Sequence, residues 1–189
     1  DLLLNAVAGC IAAMPASTLI FAPHGNSYDR LIPGAHAPTS AAWAYENRTA
    51  AIRIPGGSPK ARRIEHRAAG GDINPYLMLA TVLGASLVGI EDAMQPPAPS
   101  SGNVYDIEGL PQLAPTWAEA IDLFESDPLI ARILPKMAIR NLVMTKPQEL
   151  AEFATRPKEG HWLSWLEAVC SLVRALRIRY VNSAPIGDL

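Results

Sequence analysis

The chain has 189 residues, 49% of them hydrophobic, and a formal net charge of -2 at neutral pH. That is enough for one domain with its own core, and the near-neutral balance gives no global field for nucleic acid or an anionic membrane. Two cysteines far apart, Cys10 and Cys170, form neither a disulfide framework nor a zinc spacing and point to a reducing, cytoplasmic setting.

Residues 2–14 read as an apolar helix stopped by Pro15. Val7-Ala8-Gly9-Cys10 has the form of a bacterial lipoprotein cleavage site, but no basic segment stands before it and the run is too short to span a bilayer. The reading adopted is a buried helix in a chain that begins inside a larger protein. Residues 17–38 are rich in turn signals, with Pro23, Gly25, Asn26, Pro33, Gly34 and Pro38. Residues 42–54 read as strand, and Pro55-Gly56-Gly57 as a hairpin-type connection into a second strand over 62–67. Alternation there sets Arg63, Glu65 and Arg67 on one face and Arg62, Ile64 and His66 on the other. Arg48 and Arg53 are five apart, so a bulge or strong twist is needed if both serve one site.

Asn74-Pro75 opens a strong helix, with Asn74 as cap and Pro75 in the first helical position. Its apolar residues run nearly all round, which predicts burial. A Pro/Ser/Gly loop fills 95–109. Helices are expected over 116–124, with a Thr116/Glu119 capping box, over 127–134, and over 147–153 with Pro147 in the first turn. A last amphipathic helix is expected over 162–176, and residues 178–181 read as a strand or an interface arm. The order predicts an α+β fold whose sheet comes early.

Seven cations lie between residues 25 and 80: Arg30, Arg48, Arg53, Lys60, Arg62, Arg63 and Arg67. From Lys60 to Arg67 the only carboxylate is Glu65. Guanidinium forks bind phosphate and carboxylate oxygens bidentately and stay charged, so the set suits phosphate, carboxylate and a divalent metal held by the acid. The bland alternative is a solvated basic loop. A nucleic-acid module is disfavoured by the overall charge and by the lack of aromatics between Lys60 and Arg67.

Four segments, in order, resemble signatures of the glutamine synthetase family. They are Asn26-Ser27-Tyr28-Asp29-Arg30-Leu31-Ile32-Pro33-Gly34, Asn47-Arg48-Thr49-Ala50-Ala51-Ile52-Arg53-Ile54-Pro55, Lys60-Ala61-Arg62-Arg63-Ile64-Glu65-His66-Arg67 and Asn74-Pro75-Tyr76. The resemblance implies the C-terminal part of that catalytic domain over residues 1–169, with antiparallel strands covered by helices, and a tail over 170–189 that resembles no family ending. It implies an ATP-dependent ligase that joins an amine to the γ-carboxylate of glutamate through γ-glutamyl phosphate. By resemblance, Arg30 and Arg67 bind the glutamate carboxylates, and Arg48 contacts substrate and the transferred phosphoryl group. Arg53 and Lys60 bind ATP phosphates with Arg63 nearby, and Glu65 is a ligand for magnesium or manganese. The remaining metal ligands of the family lie upstream and have no counterpart in this sequence. The plain alternative for each arginine is a surface salt bridge, which strand parity favours for Arg62.

Where glutamine synthetases carry Pro-Gly-Tyr-Glu-Ala-Pro, this chain has Pro33-Gly34-Ala35-His36-Ala37-Pro38. That variant resembles the γ-glutamylpolyamine synthetase branch. A neutral imidazole attracts ammonium less than a carboxylate does but serves as a base for a larger amine, and Ala35 enlarges the space. The alternative is that His36 only packs in its loop. An organic amine is therefore expected over ammonia; the other readings are an ammonia-using enzyme and a non-catalytic relative that kept the fold. Tyr105, in Asn103-Val104-Tyr105-Asp106, resembles the tyrosine that some bacterial members have adenylylated, and is read here as a structural loop residue. The family implies a homo-oligomeric ring with sites between subunits, and exposed apolar surface on this portion.

Overall fold

The computed structural model describes residues 1–162. The predicted helix over 162–176, the arm over 178–181 and Cys170 therefore lie outside the described residues.

Helix α1 (Leu2–Phe21) is capped by Asp1, whose carboxylate accepts the Leu3 N–H at 3.1 Å. It does not stop at Pro15, which lies inside it. The expected break fails because the helix is held by packing on several sides, which outweighs the local cost of one proline. Its length and composition would suffice to cross a membrane, yet 78% of its most apolar stretch is buried within the protein, as befits a core helix. Val7, Met14, Leu19 and Phe21 are sealed among Ile52 and Ile54 of the sheet and Phe124 and Ile130 of the later helices. At Gly9 and Gly89 the backbones of α1 and α2 (Pro75–Glu91) touch: a side chain at either glycine would strike the other helix.

A 3₁₀ segment, Gly25–Arg30, follows α1. The sheet has three short strands in the order β1 (Trp43–Tyr45), β2 (Ile52–Ile54) and β3 (Glu65–His66). The region expected as one strand is thus two, divided at residues 46–51. Asn47 is the cause: its Oδ1 accepts the N–H and the hydroxyl of Thr49 at 2.9 and 2.7 Å, an Asx-turn that interrupts the extended chain. β1 and β2 run parallel and β2 and β3 antiparallel, so the sheet is mixed, whereas antiparallel strands alone were expected. The link from β2 to β3 contains a 3₁₀ turn, Pro59–Ala61, so the second strand is two residues long and begins at Glu65 rather than at 62.

Asn74 caps α2 as predicted, accepting the N–H groups of Tyr76 and Leu77 with Pro75 in the first turn. The predicted burial all round is not found. α1 and α4 cover one side, and Tyr76 (82% exposed), Leu79, Leu83 (60%) and Leu87 form an outward apolar stripe. α3 (Trp117–Ser126) is capped by Thr116, whose hydroxyl accepts the Glu119 N–H at 3.2 Å, and α4 (Pro128–Ile133) by Asp127. α5 runs over Lys136–Ala154 with Pro147 inside it, eleven residues earlier at its start than the sequence suggested. The class is α+β, with the sheet early in the chain and helices packed around α1.

Candidate active site

The central strand β2 presents Arg53 directly across from Glu65 on β3. Arg53 Nη1 lies 3.0 Å from Glu65 Oε2, and Arg67 Nε lies 3.4 Å from Glu65 Oε1. Arg67 also donates from Nη1 to the Ala50 carbonyl at 3.2 Å. Glu65 and Arg67 share a face as the alternation predicts, while His66 points the other way and its ring lies 4.6 Å from that of Phe21. The Arg53 side chain is 16% exposed and that of Glu65 34%, so the acid is paired yet reachable from solvent. Arg53 Nε is buried without a partner.

Sequence reasoning missed Glu46. It sits in the left-handed region, φ 53°, and its carboxylate spans Arg53 Nη2 at 3.3 Å and the backbone N–H of Gly56. The Gly56 N–H, then Arg53, hold its carboxyl below the usual range. The sequence does show an acid immediately before Asn47-Arg48, but its partner is set by a backbone angle that no pattern encodes.

Arg30 reaches the same end of the sheet from the 3₁₀ segment. Its Nη2 donates to the Phe21 carbonyl at 2.7 Å and to the Ala68 carbonyl at 3.0 Å, tying the C-terminus of α1 to the residue after Arg67. Arg48 is not on a strand: it is exposed in the Asx-turn, two residues before the carbonyl that Arg67 holds, so no bulge is needed to bring it near. Lys60 and Arg63 are exposed in the β2–β3 link, and Arg63 Nη1 donates to the Ala61 carbonyl at 3.3 Å instead of sharing a strand face with Glu65. Arg62 is exposed in the same link, outside any strand. His36 stands apart, exposed in a loop with φ 62°, and no hydrogen bond or ion pair joins it to the cationic cluster among the described residues. The structure thus gathers Arg53, Glu65 and Arg67, brings Arg30 alongside through the Ala68 carbonyl, sets Arg48 in the turn just before the Ala50 carbonyl that Arg67 holds, and leaves Lys60, Arg63 and His36 exposed on connections outside the strands.

A divalent cation needs several oxygen ligands. Among the described residues no group of three or more His, Cys, Asp or Glu side chains is gathered, and both Glu65 oxygens face guanidiniums. Among the described residues the side chains therefore do not form a metal site by themselves; Glu65 supplies at most one ligand side chain.

The catalytic-domain family of glutamine synthetase matches residues 1–164. The chain belongs to the glutamine synthetase family. It is 40% identical over 129 residues to the γ-glutamylethanolamide synthetase GlnA4 of Streptomyces coelicolor, covering 68% of this chain and 28% of that protein. It is 36% identical over 159 residues to the glutamine synthetase of Methanocaldococcus jannaschii, covering 80% and 35%. With the γ-glutamylputrescine synthetase PuuA of Escherichia coli it shares 43% over 110 residues, covering 58% and 23%. A ligand-free GmaS structure superposes with a TM-score of 0.73 at 30% identity, over 85% of this chain and 37% of that one. A GmaS–ADP complex gives 0.74 at 28% identity, over 90% and 39%. The chain thus spans about a third of the length of these family members. It falls within a family whose members here include both γ-glutamyl-amine synthetases and glutamine synthetases.

Proposed function

We propose that the protein is an ATP-dependent ligase that forms a γ-glutamyl amide from glutamate and an organic amine. The observation that carries this is the Arg53–Glu65–Arg67 cluster, flanked by Arg30 and Arg48, on a fold of this family. In the proposed reaction a γ-carboxylate oxygen of glutamate attacks the γ-phosphorus of ATP and the bond to ADP breaks. The amine nitrogen then attacks the acyl carbon, phosphate leaves, and the surplus amine proton passes to a base. Both steps gather negative charge on a transferring phosphoryl group, which fixed cations stabilise. Arg30 and Arg67 are assigned to the glutamate carboxylates, Arg48 to substrate and phosphoryl group, and Arg53, Lys60 and Arg63 to the ATP phosphates. Magnesium or manganese would neutralise phosphate charge when bound, and among the described residues Glu65 would be the ligand offered to it.

His36 is assigned as the base that takes the amine proton. His36 is exposed in its loop with the small Ala35 beside it, which supports an amine larger than ammonia over ammonia itself. Similarity to the ethanolamide and putrescine synthetases supports this choice. The second reading, a glutamine synthetase using ammonia, is favoured by the broad match to the archaeal glutamine synthetase. A homo-oligomeric ring and a cytoplasmic location belong to the same proposal. The test is phosphate release by the protein expressed from its full reading frame, with ATP, glutamate and a panel of ammonia, ethanolamine, putrescine and spermidine. Turnover with an amine well above that with ammonia is expected; a strong preference for ammonia overturns the role given to His36.

A further inference from the structure

The Arg30 guanidinium is only half-buried, yet the geometry around it is closely made. Its Nη2 holds two carbonyls, those of Phe21 and Ala68, and its Nε is buried with no partner. The group lies close against Gly70: a Cβ there would stand 2.9 Å from both Nε and Nη2, and would also strike Asp72 Oδ1. Asp72 therefore faces Arg30 across one glycine, without a direct ion pair among the described contacts. Its other oxygen, Oδ2, accepts the Ser27 hydroxyl in a short hydrogen bond. Ser27 Oγ in turn accepts the backbone N–H of His24 at 3.1 Å, which fixes the start of the 3₁₀ segment that ends in Arg30. Burial pushes the Arg30 guanidinium below its ordinary value, and Asp72 is the largest influence opposing that.

We infer that Asp72 and Ser27 are positioning residues for Arg30, orienting its free edge toward a carboxylate of the glutamate substrate. The tether joins the loop before α2 to the segment carrying Arg30, and the carboxylate compensates a cation whose nearest partners are neutral carbonyls. Asp72 does not touch substrate. It acts by keeping the guanidinium on Gly70 with two donors spent on backbone and the rest of its fork uncommitted. Gly70 is part of the device, since any side chain there would displace the guanidinium or the carboxylate. This inference rests on the reading of Arg30 as a glutamate-binding residue.

The test is steady-state kinetics on the protein from its full reading frame, varying glutamate at saturating ATP and amine, and then varying ATP. Asp72→Asn keeps an acceptor for Ser27 and removes the charge; Ser27→Ala keeps the charge and removes the tether. Each is expected to raise KM for glutamate, Asp72→Asn by about tenfold, equivalent to ~1.4 kcal/mol, with KM for ATP and kcat little changed. Arg30→Lys separates the two levels of the argument. If Arg30→Lys leaves KM for glutamate unchanged, the reading of Arg30 fails and the inference falls with it. If Arg30→Lys raises that KM while folded Asp72→Asn and Ser27→Ala do not, the inference alone is overturned. Equal losses in glutamate KM, ATP KM and kcat would mark Asp72 as merely structural and also overturn it. Should Asp72→Asn fail to fold, Ser27→Ala decides the matter by the same split.

Discussion

Arg53 and Glu65 are register partners on β2 and β3, and their side chains meet at 3.0 Å. Because Arg67 approaches the other oxygen of Glu65 at 3.4 Å, one carboxylate separates two guanidiniums. Glu65→Gln leaves two partly buried cations facing each other and is expected to lower stability by roughly 1–3 kcal/mol. In a double-mutant cycle, Arg53→Met with Glu65→Gln should lose less than the sum of the two changes, with a coupling of about 1 kcal/mol. The Arg53–Glu46 pair lies further in solvent and should couple less. Urea unfolding measures both cycles; a Glu65–Arg53 coupling of zero would mean that the strands do not hold this register.

The contact of α1 with α2 gives a second prediction. A Cβ on Gly9 would lie 2.8 Å from the Gly89 Cα, and one on Gly89 would lie 2.8 Å from the Gly9 Cα. Neither neighbour is a flexible side chain, so the helices must separate. Gly9→Ala and Gly89→Ala should each destabilise by more than about 3 kcal/mol, read as a lower thermal midpoint. Gly71→Ala, with open space around its Cα, should leave the midpoint nearly unmoved.

His66 supplies a pH dependence. Burial against Phe21, with Nδ1 left unpartnered, lowers its value from 6.5 to about 4. The folded state therefore favours neutral imidazole, while the unfolded chain takes up a proton below 6.5. Stability from this group is fully present above 6.5 and is lost as pH falls from there toward about 4, below which the loss levels off. The full shift corresponds to at most ~3 kcal/mol, less in proportion to the part of the residue that remains solvent-accessible. His66→Phe should flatten this segment of the stability–pH curve; an unchanged slope would assign the dependence to other groups.

Local chemistry with a short-range cause was legible in the sequence. Asn74-Pro75, Thr116 and Asp127-Pro128 begin helices because their side chains satisfy first-turn N–H groups, and each does so in the structure. The Glu65/Arg67 face followed from alternation. What misled was local chemistry outweighed by packing: Pro15 and Pro147 lie within helices held by tertiary contacts. The apolar circumference of α2 does not say which side other elements cover. Arg48 was misplaced onto a strand because Asn47 closes a turn through its own side chain. Glu46 and Asp72 are not legible in the sequence because the groups they bond, on Arg53 and Ser27, are seven and forty-five residues away.

The loop carrying His36 is anchored by Tyr105, whose hydroxyl donates to the Ala37 carbonyl at 3.0 Å. That bond gives Tyr105 the structural role its loop suggested and ties the 95–109 segment to the proposed amine site. Tyr105→Phe should cost only ~1 kcal/mol of stability, but it frees the backbone next to His36. Its KM for the amine should rise a fewfold while KM for glutamate stays constant, because Arg30 and Arg67 are held elsewhere. His36→Asn is the companion variant, since Asn tolerates the left-handed φ of 62° that a non-glycine residue adopts here. It removes the proposed base without straining the turn, so on that reading kcat with an organic amine should fall by about 100-fold or more. If His36→Asn keeps wild-type kcat and Tyr105→Phe shifts glutamate and amine alike, the loop orders the fold and takes no part in choosing or deprotonating the amine.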